Sequence, residues 1–256
     1  MIYDKVIYLS DMTVRGWKTK FKEIRTEFEY KEIDDYNSAK KLDSIIKKKF
    51  SKKQLEELIT NRTVLIIGAG PSLEKSLSYV KKCKNVTKIV ADGAVEALLK
   101  NRINPTILVT DLDGDLKSIK KIGQEKIPII VHAHGDNFDK LEIVKKFSNV
   151  IGSTQTNSFG NIQNFGGFTD GDRCVFLAEF FHAKKIVLVG MDFGKIIGEY
   201  SKHKIFDKKT KLKKLKFGKN ILEWFATKSN TKLYSTKTLK GYKKIKLADL
   251  EYIENF

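Results

Sequence analysis

From residue 61 onward, short apolar runs rich in β-branched residues alternate with amphipathic segments, and this rhythm constrains the fold more than any other feature. The apolar runs are TVLIIG (63–68), KIVAD (88–92), TILVTD (106–111), PIIVHA (128–133), NVIGS (149–153) and KIVLVGMD (185–192). Between them lie SLEKSLSYVKKC, AVEALLKN, DLKSIKKIG, FDKLEIVKKF and DRCVFLAEFFHA. A strand that is apolar throughout must be covered on both faces, and a helix between successive strands is the connection that parallel pairing requires. The pattern predicts an α/β fold with a mostly parallel sheet and helices on both faces.

Such a Rossmann-like sheet binds its ligands beyond the carboxyl ends of the strands. Residues 61–256 are read as the nucleotide-binding catalytic domain, closed by a basic helix over 208–229, broken at Gly218, and a last strand in TKLYSTK. Leu212, Leu215, Ile221, Leu222 and Trp224 supply that helix with an apolar stripe, expected to cover the sheet or a second copy of the chain in a homo-oligomer. Residues 1–60 are read as a small, mainly helical N-terminal subdomain after an opening apolar stretch. There Leu42, Ile45, Ile46, Phe50, Leu55 and Leu58 recur near helical spacing.

Composition narrows the class of partner. Hydrophobic residues make up 41%, enough for a packed core. The formal net charge is +18, yet the lysines are spread along the whole chain with no nucleic-acid-binding signature. The charge is read as a lysine-rich surface of a heat-adapted or AT-rich source, with steering of anionic ligands as the alternative. Cys83 and Cys174 form no CxxC and are expected as buried filler in a reducing compartment. MIYDKVIYLSDM lacks the pattern of a signal peptide, and no apolar run reaches the ~18 residues of a membrane span, so a cytoplasmic protein is expected.

Polar residues cluster where the strands end. The first strand runs into Gly68, Ala69, Gly70, Pro71 and Ser72, where glycines admit a phosphate and the following helix start attracts anions. The match to GxGxxG is incomplete, the GK[ST] of a P-loop is missing, and a tight turn without a ligand is the plain alternative. Asp92, followed by Gly93, ends the second strand. An acid here can hold ribose hydroxyls, as in nicotinamide- or adenosylmethionine-binding folds, or cap the next helix.

The third strand ends in Thr110-Asp111-Leu112-Asp113-Gly114. Asp111 and Asp113 alternate and so point to one side in extended backbone, where two carboxylates repel unless a cation separates them. Oxygen ligands of this kind suit magnesium bound to substrate phosphates. The fourth strand gives His132 and His134, then Asp136 and Asn137. This is similar to the HxHxDH of binuclear zinc hydrolases, but Asn137 replaces the last histidine and only His182 and His203 follow, too few for a two-zinc site. The histidines are instead assigned to a phosphate or an acceptor ring. In Gly166–Arg173, Asp170 and Asp172 are placed at the ligand, Asp172 also as a helix cap, and Arg173 as a phosphate contact. The amide- and glycine-rich TQTNSFGNIQNFGGF before them could form a mobile loop over the ligand.

As a set, GAGPSL, ADGA, TDLDGD, HAHGDN and GFTDGDR resembles the archaeal 6-hydroxymethyl-7,8-dihydropterin pyrophosphokinases, whose core is similar to that of thiamin pyrophosphokinases. The resemblance covers roughly residues 61–195. The GDxDS-like motif of the thiamin enzymes is broken at Thr110 and Gly114, which points to a pterin acceptor. The resemblance implies diphosphate transfer from ATP to 6-hydroxymethyl-7,8-dihydropterin, giving AMP and the pterin diphosphate for a folate- or methanopterin-type coenzyme. It also implies Mg2+ on Asp111 and Asp113, Asp92 assisting at the nucleotide or metal, and Gly68 and Gly70 lining the nucleotide site. Arg173 or nearby lysines would stabilise charge on the transferred group, and Asp136 or a histidine would be the base for the acceptor hydroxyl. A thiamin kinase-like diphosphotransferase and a non-kinase dinucleotide- or adenosylmethionine-binding protein remain the rival readings.

Overall fold

The computed structural model describes residues 14–47, 50–201 and 207–255. The opening apolar stretch and His203 lie outside these residues, as do two of the three lysines at 47–49.

Among the described residues, nine strands form one sheet. They are β1 (Thr63–Ile67), β2 (Thr87–Ala91), β3 (Ile107–Thr110), β4 (Ile129–Ala133), β5 (Val150–Thr154), β6 (Ile162–Gln163), β7 (Lys185–Val189), β8 (Lys232–Ser235) and β9 (Lys243–Lys244). Their order is β6-β5-β4-β3-β2-β1-β7-β8-β9, and every neighbouring pair is parallel. The helices are α1 (Trp17–Glu27), α2 (Glu32–Ile45), α3 (Lys52–Ile59), α4 (Leu73–Lys82), α5 (Val95–Lys100), α6 (Leu116–Gln124), α7 (Asp170–Phe180) and α8 (Lys208–Ala226).

The strands are buried on both faces, and consecutive residues feed two different cores. Leu65, Ile67, Val90, Leu108 and Val131 face α2, α4, α5 and α6. Val64, Ile66, Ile89, Val109 and Ile130 face α1, α3, α7 and α8. The N-terminal region is helical, as read, and its helices pack on both faces of the sheet: Leu42 and Ile45 of α2 join the first core, while Trp17 of α1 and Leu55 of α3 join the second. The apolar spacing across residues 42–58 belongs to two helices, not one. Ser51 starts α3 with a capping box, accepting from the Gln54 amide while the Gln54 side chain accepts from the Ser51 amide.

Other local expectations are corrected. The segment 138–147, expected as an amphipathic helix, is a 3₁₀ run, Gly135–Lys146, capped by Phe147. Gly135, Asp136 and Asn137 favour turns over α-helix, and the Asn137 side chain is committed to main-chain groups at the strand ends. α8 is continuous through Gly218, which is buried where the helix passes Thr169 and Asp172. Of its proposed stripe Ile221 and Leu222 are buried, Leu212 and Leu215 are half-buried, and Trp224 packs beside Trp17 at 6.1 Å between ring centroids. The two-residue strands β6 and β9 are too short for any periodicity. Cys83 and Cys174 are free and buried. Among the described residues no helix is long and apolar enough to cross a membrane.

Candidate active site

The chain builds the sheet outward from β1 through β6, then returns to the other side of β1 with β7. The order therefore reverses between β1 and β7, and a cleft lies at the carboxyl ends of the strands there. Gly68, Gly70 and Pro71 line it from β1, Gly190 and Asp192 from β7, Gly93 from β2, Asp111 and Asp113 from β3, and Asp170 from the start of α7. The cavity volume of the cleft is about 140 Å³.

The two glycine turns are in direct contact. The Gly68 amide donates to Val189 O (2.9 Å) and the Gly70 amide to Gly190 O (2.7 Å). A Cβ at Gly70 would lie 2.3 Å from Asp192 Oδ2 and 2.6 Å from Gly190 O, so only glycine fits. The start of α4 already holds an anion of the chain's own: the Ser72 amide and hydroxyl donate to Asp192 Oδ2 at 3.0 and 2.6 Å. Lys237 completes the link, 3.1 Å from Asp192 Oδ1. Ser72 therefore faces an adjoining basic groove, together with Lys75 and Lys237, rather than the main cleft.

The acids form the centre of the site. Asp92, Asp111, Asp113 and Asp170 each offer a carboxylate oxygen, and these oxygens all lie within 4.8 Å of one another. Asp92 Oδ2 accepts from Thr110 Oγ1 (2.8 Å) and from the Asp113 and Gly114 amides (both 3.1 Å). The Thr110 hydroxyl in turn accepts from the Leu112 amide at 2.8 Å, holding a turn in which Leu112 takes φ +67°. This explains the departures from the thiamin-type motif. Thr110 ties β2 to β3, and a Cβ at position 114 would come within 1.9 Å of Asp92 Oδ1.

Burial and the neighbouring Asp111 and Asp113 charges push Asp92 up to about 8. Burial and the Asp111 charge likewise raise Asp170 well above the ordinary range, against the pull of Arg173. Burial also opposes ionisation of Asp111, but His134 and Arg173 outweigh it and hold this carboxyl well below the ordinary range. Asp92 Oδ1 and Asp111 Oδ1 are both buried with no hydrogen-bond partner. Two orphaned acceptor oxygens among four convergent acids fit a hard divalent cation.

Around this core stand the remaining residues. Arg173 is buried and donates from Nη1 to Asp170 Oδ1 at 3.0 Å. His134 Nε2 lies 3.5 Å from Asp111 Oδ2, while its Nδ1 accepts from the Asp136 amide at 3.3 Å. Asp136 itself is exposed, its carboxylate 3.8 Å from His134 Nδ1. His132 is buried behind the acids, its Nδ1 3.0 Å from Ser153 Oγ. Among the described residues, the grouped acids include no histidine. Asp172 faces its own helix start rather than the cleft. It accepts from the Phe168 and Thr169 amides at 2.5 and 2.8 Å, and burial raises it to about 6. Thr169, not Asp172, is the N-cap, with Asp172 its reciprocal partner.

Four residues contribute in ways the sequence does not announce. Asp170, expected at the ligand, joins the acid cluster. Asn137, read as a missing zinc ligand, donates to Asp111 O (2.8 Å) and His132 O (2.7 Å) and stitches β3 to β4. Lys211 and Lys214 on α8 line the cleft and bring positive charge to its rim. The lysine density of α8 was visible in sequence, but not where it would dock.

A family model described as 6-hydroxymethylpterin diphosphokinase MptE-like matches residues 36–198. The chain belongs to this family. Its MptE-like relatives include a Pyrococcus furiosus protein named 6-hydroxymethyl-7,8-dihydropterin pyrophosphokinase, 42% identical over 85% of this chain and 96% of that one. A protein of the same name from Methanocaldococcus jannaschii is 38% identical over 85% of this chain and 97% of its own length. Among solved structures, the MAf glycosyltransferase of Magnetospirillum magneticum AMB-1 superposes with a TM-score of 0.60 at 11% identity. That match covers 87% of this chain but 41% of the glycosyltransferase, and it shows a shared fold alone.

Proposed function

We propose that this chain transfers a diphosphate group from ATP to 6-hydroxymethyl-7,8-dihydropterin with the help of magnesium, yielding AMP and the pterin diphosphate of a folate- or methanopterin-type coenzyme pathway. The observation that carries the reading is the convergence of four carboxylates, two with orphaned buried oxygens, beside a glycine-lined cleft where the strand order reverses. The family's description and the relatives' names supply the acceptor.

Asp92, Asp111, Asp113 and Asp170 would hold the magnesium, which supplies charge neutralisation and polarisation at the phosphate oxygens. The acceptor hydroxyl attacks the β-phosphorus in line. A new O–P bond forms, the bond from the β-phosphorus to the oxygen shared with the α-phosphorus breaks, and AMP leaves with that oxygen. Gly68, Gly70 and Gly93 let the nucleotide approach the main chain closely. Arg173, Lys211 and Lys214 balance the phosphate charge, and rigid positioning does most of the work. His134 accepts from the Asp136 amide at Nδ1 and turns Nε2 toward Asp111, so neither ring nitrogen is free to act as the base in this arrangement.

The test is AMP release on incubation with ATP, magnesium and either the dihydropterin or thiamin. AMP with the dihydropterin alone is expected, abolished in Asp111→Ala and Asp113→Ala with folding retained. Near-normal turnover in both variants would refute the assignment of the acids.

A further inference from the structure

Behind the acid cluster, two buried nitrogens lack partners. Arg173 reaches Asp170 through Nη1, but its Nε is buried and unpaired. His132, 2% exposed, uses Nδ1 on Ser153 Oγ, while its Nε2 is buried and unpaired. Both residues line one small enclosed cavity with Val109, Ile130, Ser153 and Phe165. Buried nitrogens of this kind are satisfied in folded proteins, and a cavity of about 10 Å³ lined by both side chains and by Ser153 is about the size of a single water.

We propose that one ordered water bridges Arg173 Nε and His132 Nε2, making His132 a positioning residue that orients the guanidinium against Asp170. A guanidinium N–H only donates, so the water accepts from Arg173, and in the proposed arrangement it donates to His132 Nε2. The imidazole must then carry its hydrogen on Nδ1 and donate to Ser153 Oγ. The Ser153 hydroxyl donates onward to Val131 O at 3.5 Å. A one-way chain thus runs from the guanidinium to the main chain of β4. Burial and the Arg173 charge lower His132 well below the ordinary histidine range, so the ring stays neutral and able to accept. The bridge stands on this geometry, whereas its consequence for metal binding rests on the function proposed above.

Side-chain 15N NMR of the four-histidine protein reads the tautomer directly, with His132→Gln identifying the signal. A neutral Nδ1–H tautomer at His132 is expected. An Nε2–H tautomer, with the ring donating toward Gln155 or an anion in the cavity, would overturn the bridge. Mn2+ affinity, measured calorimetrically on the metal alone, gives the second readout. His132→Phe fills the ring's space without an acceptor and should weaken binding about 10-fold, as loss of an outer-shell partner does. His132→Gln restores an acceptor near the Nε2 position and should bind as the parent does. Equal weakening in both variants would reduce His132 to packing and overturn the positioning role. A parent protein that binds no Mn2+ would refute the metal reading, while the tautomer would still decide the bridge.

Discussion

Replacing Asp92 with asparagine should make the metal-free protein more stable and remove its response to magnesium. An ordinary aspartate ionises near 3.8, whereas burial and the Asp111 and Asp113 charges push Asp92 up to about 8. At pH 7 the unfolded chain carries this group ionised and the folded chain carries it protonated, so folding takes up a proton. That uptake spans about 3 pH units at ~1.36 kcal/mol each, or about 4 kcal/mol. Asparagine needs no proton, and its carbonyl can still accept from Thr110 and from the Asp113 and Gly114 amides. About 4 kcal/mol is the ceiling on the gain, about 10 °C in Tm for a domain of this size. Because the folded value lies above the unfolded one, the parent's contribution from Asp92 is complete below about 4 and is lost as pH rises through about 8. Asp170, raised in the same direction, adds to that slope. Thermal melts in EDTA across this range should show a falling Tm for the parent and a shallower fall for Asp92→Asn. Magnesium should raise the parent's Tm by mass action and leave the variant's unchanged. A variant less stable than the parent in EDTA, or one equally stabilised by magnesium, would refute the electrostatic account of the cluster.

Gly114→Ala puts a Cβ 1.9 Å from Asp92 Oδ1, so the acid must move. Calorimetry should show loss of Mn2+ binding, with the far-UV circular dichroism of the parent retained. Asn137→Ala leaves the buried carbonyls of Asp111 and His132 without their donor and should cost about 3 kcal/mol, read as a lower midpoint in urea with unchanged slope. Lys214→Ala should raise the KM for ATP about 10-fold, the equivalent of ~1.4 kcal/mol, and leave the Tm within error of the parent.

Much of the architecture was legible because it rests on local periodicity. Strands that are apolar beyond their first residue or two announce a sheet covered on both faces, and Thr63–Ile67, Thr87–Ala91 and Lys185–Val189 are such strands, buried at every residue. Asp111 and Asp113 could be paired from spacing alone, since alternate residues leaving a strand share a side. Where side chains rather than period decide, the reading failed. Local propensity predicts a helix break at Gly218, because it says nothing of the packing against Thr169 and Asp172. The 3₁₀ run at Gly135–Lys146 is held by Asn137 bonds to two strand ends that no local window contains.

The sequence by itself determined the class of fold, the edge of the sheet where polar chemistry gathers, and the paired acids after β3. Only the tertiary structure decided that β7 lies against β1, so that Gly190 and Asp192 face Gly68 and Ser72. It alone brought Asp170 to Asp92 and Asp111, and Lys211 and Lys214 to the same cleft. The physical reason is that strand order and helix docking are settled by the summed burial of distant apolar faces, whereas the residues they deliver to the site carry no local mark of their partners.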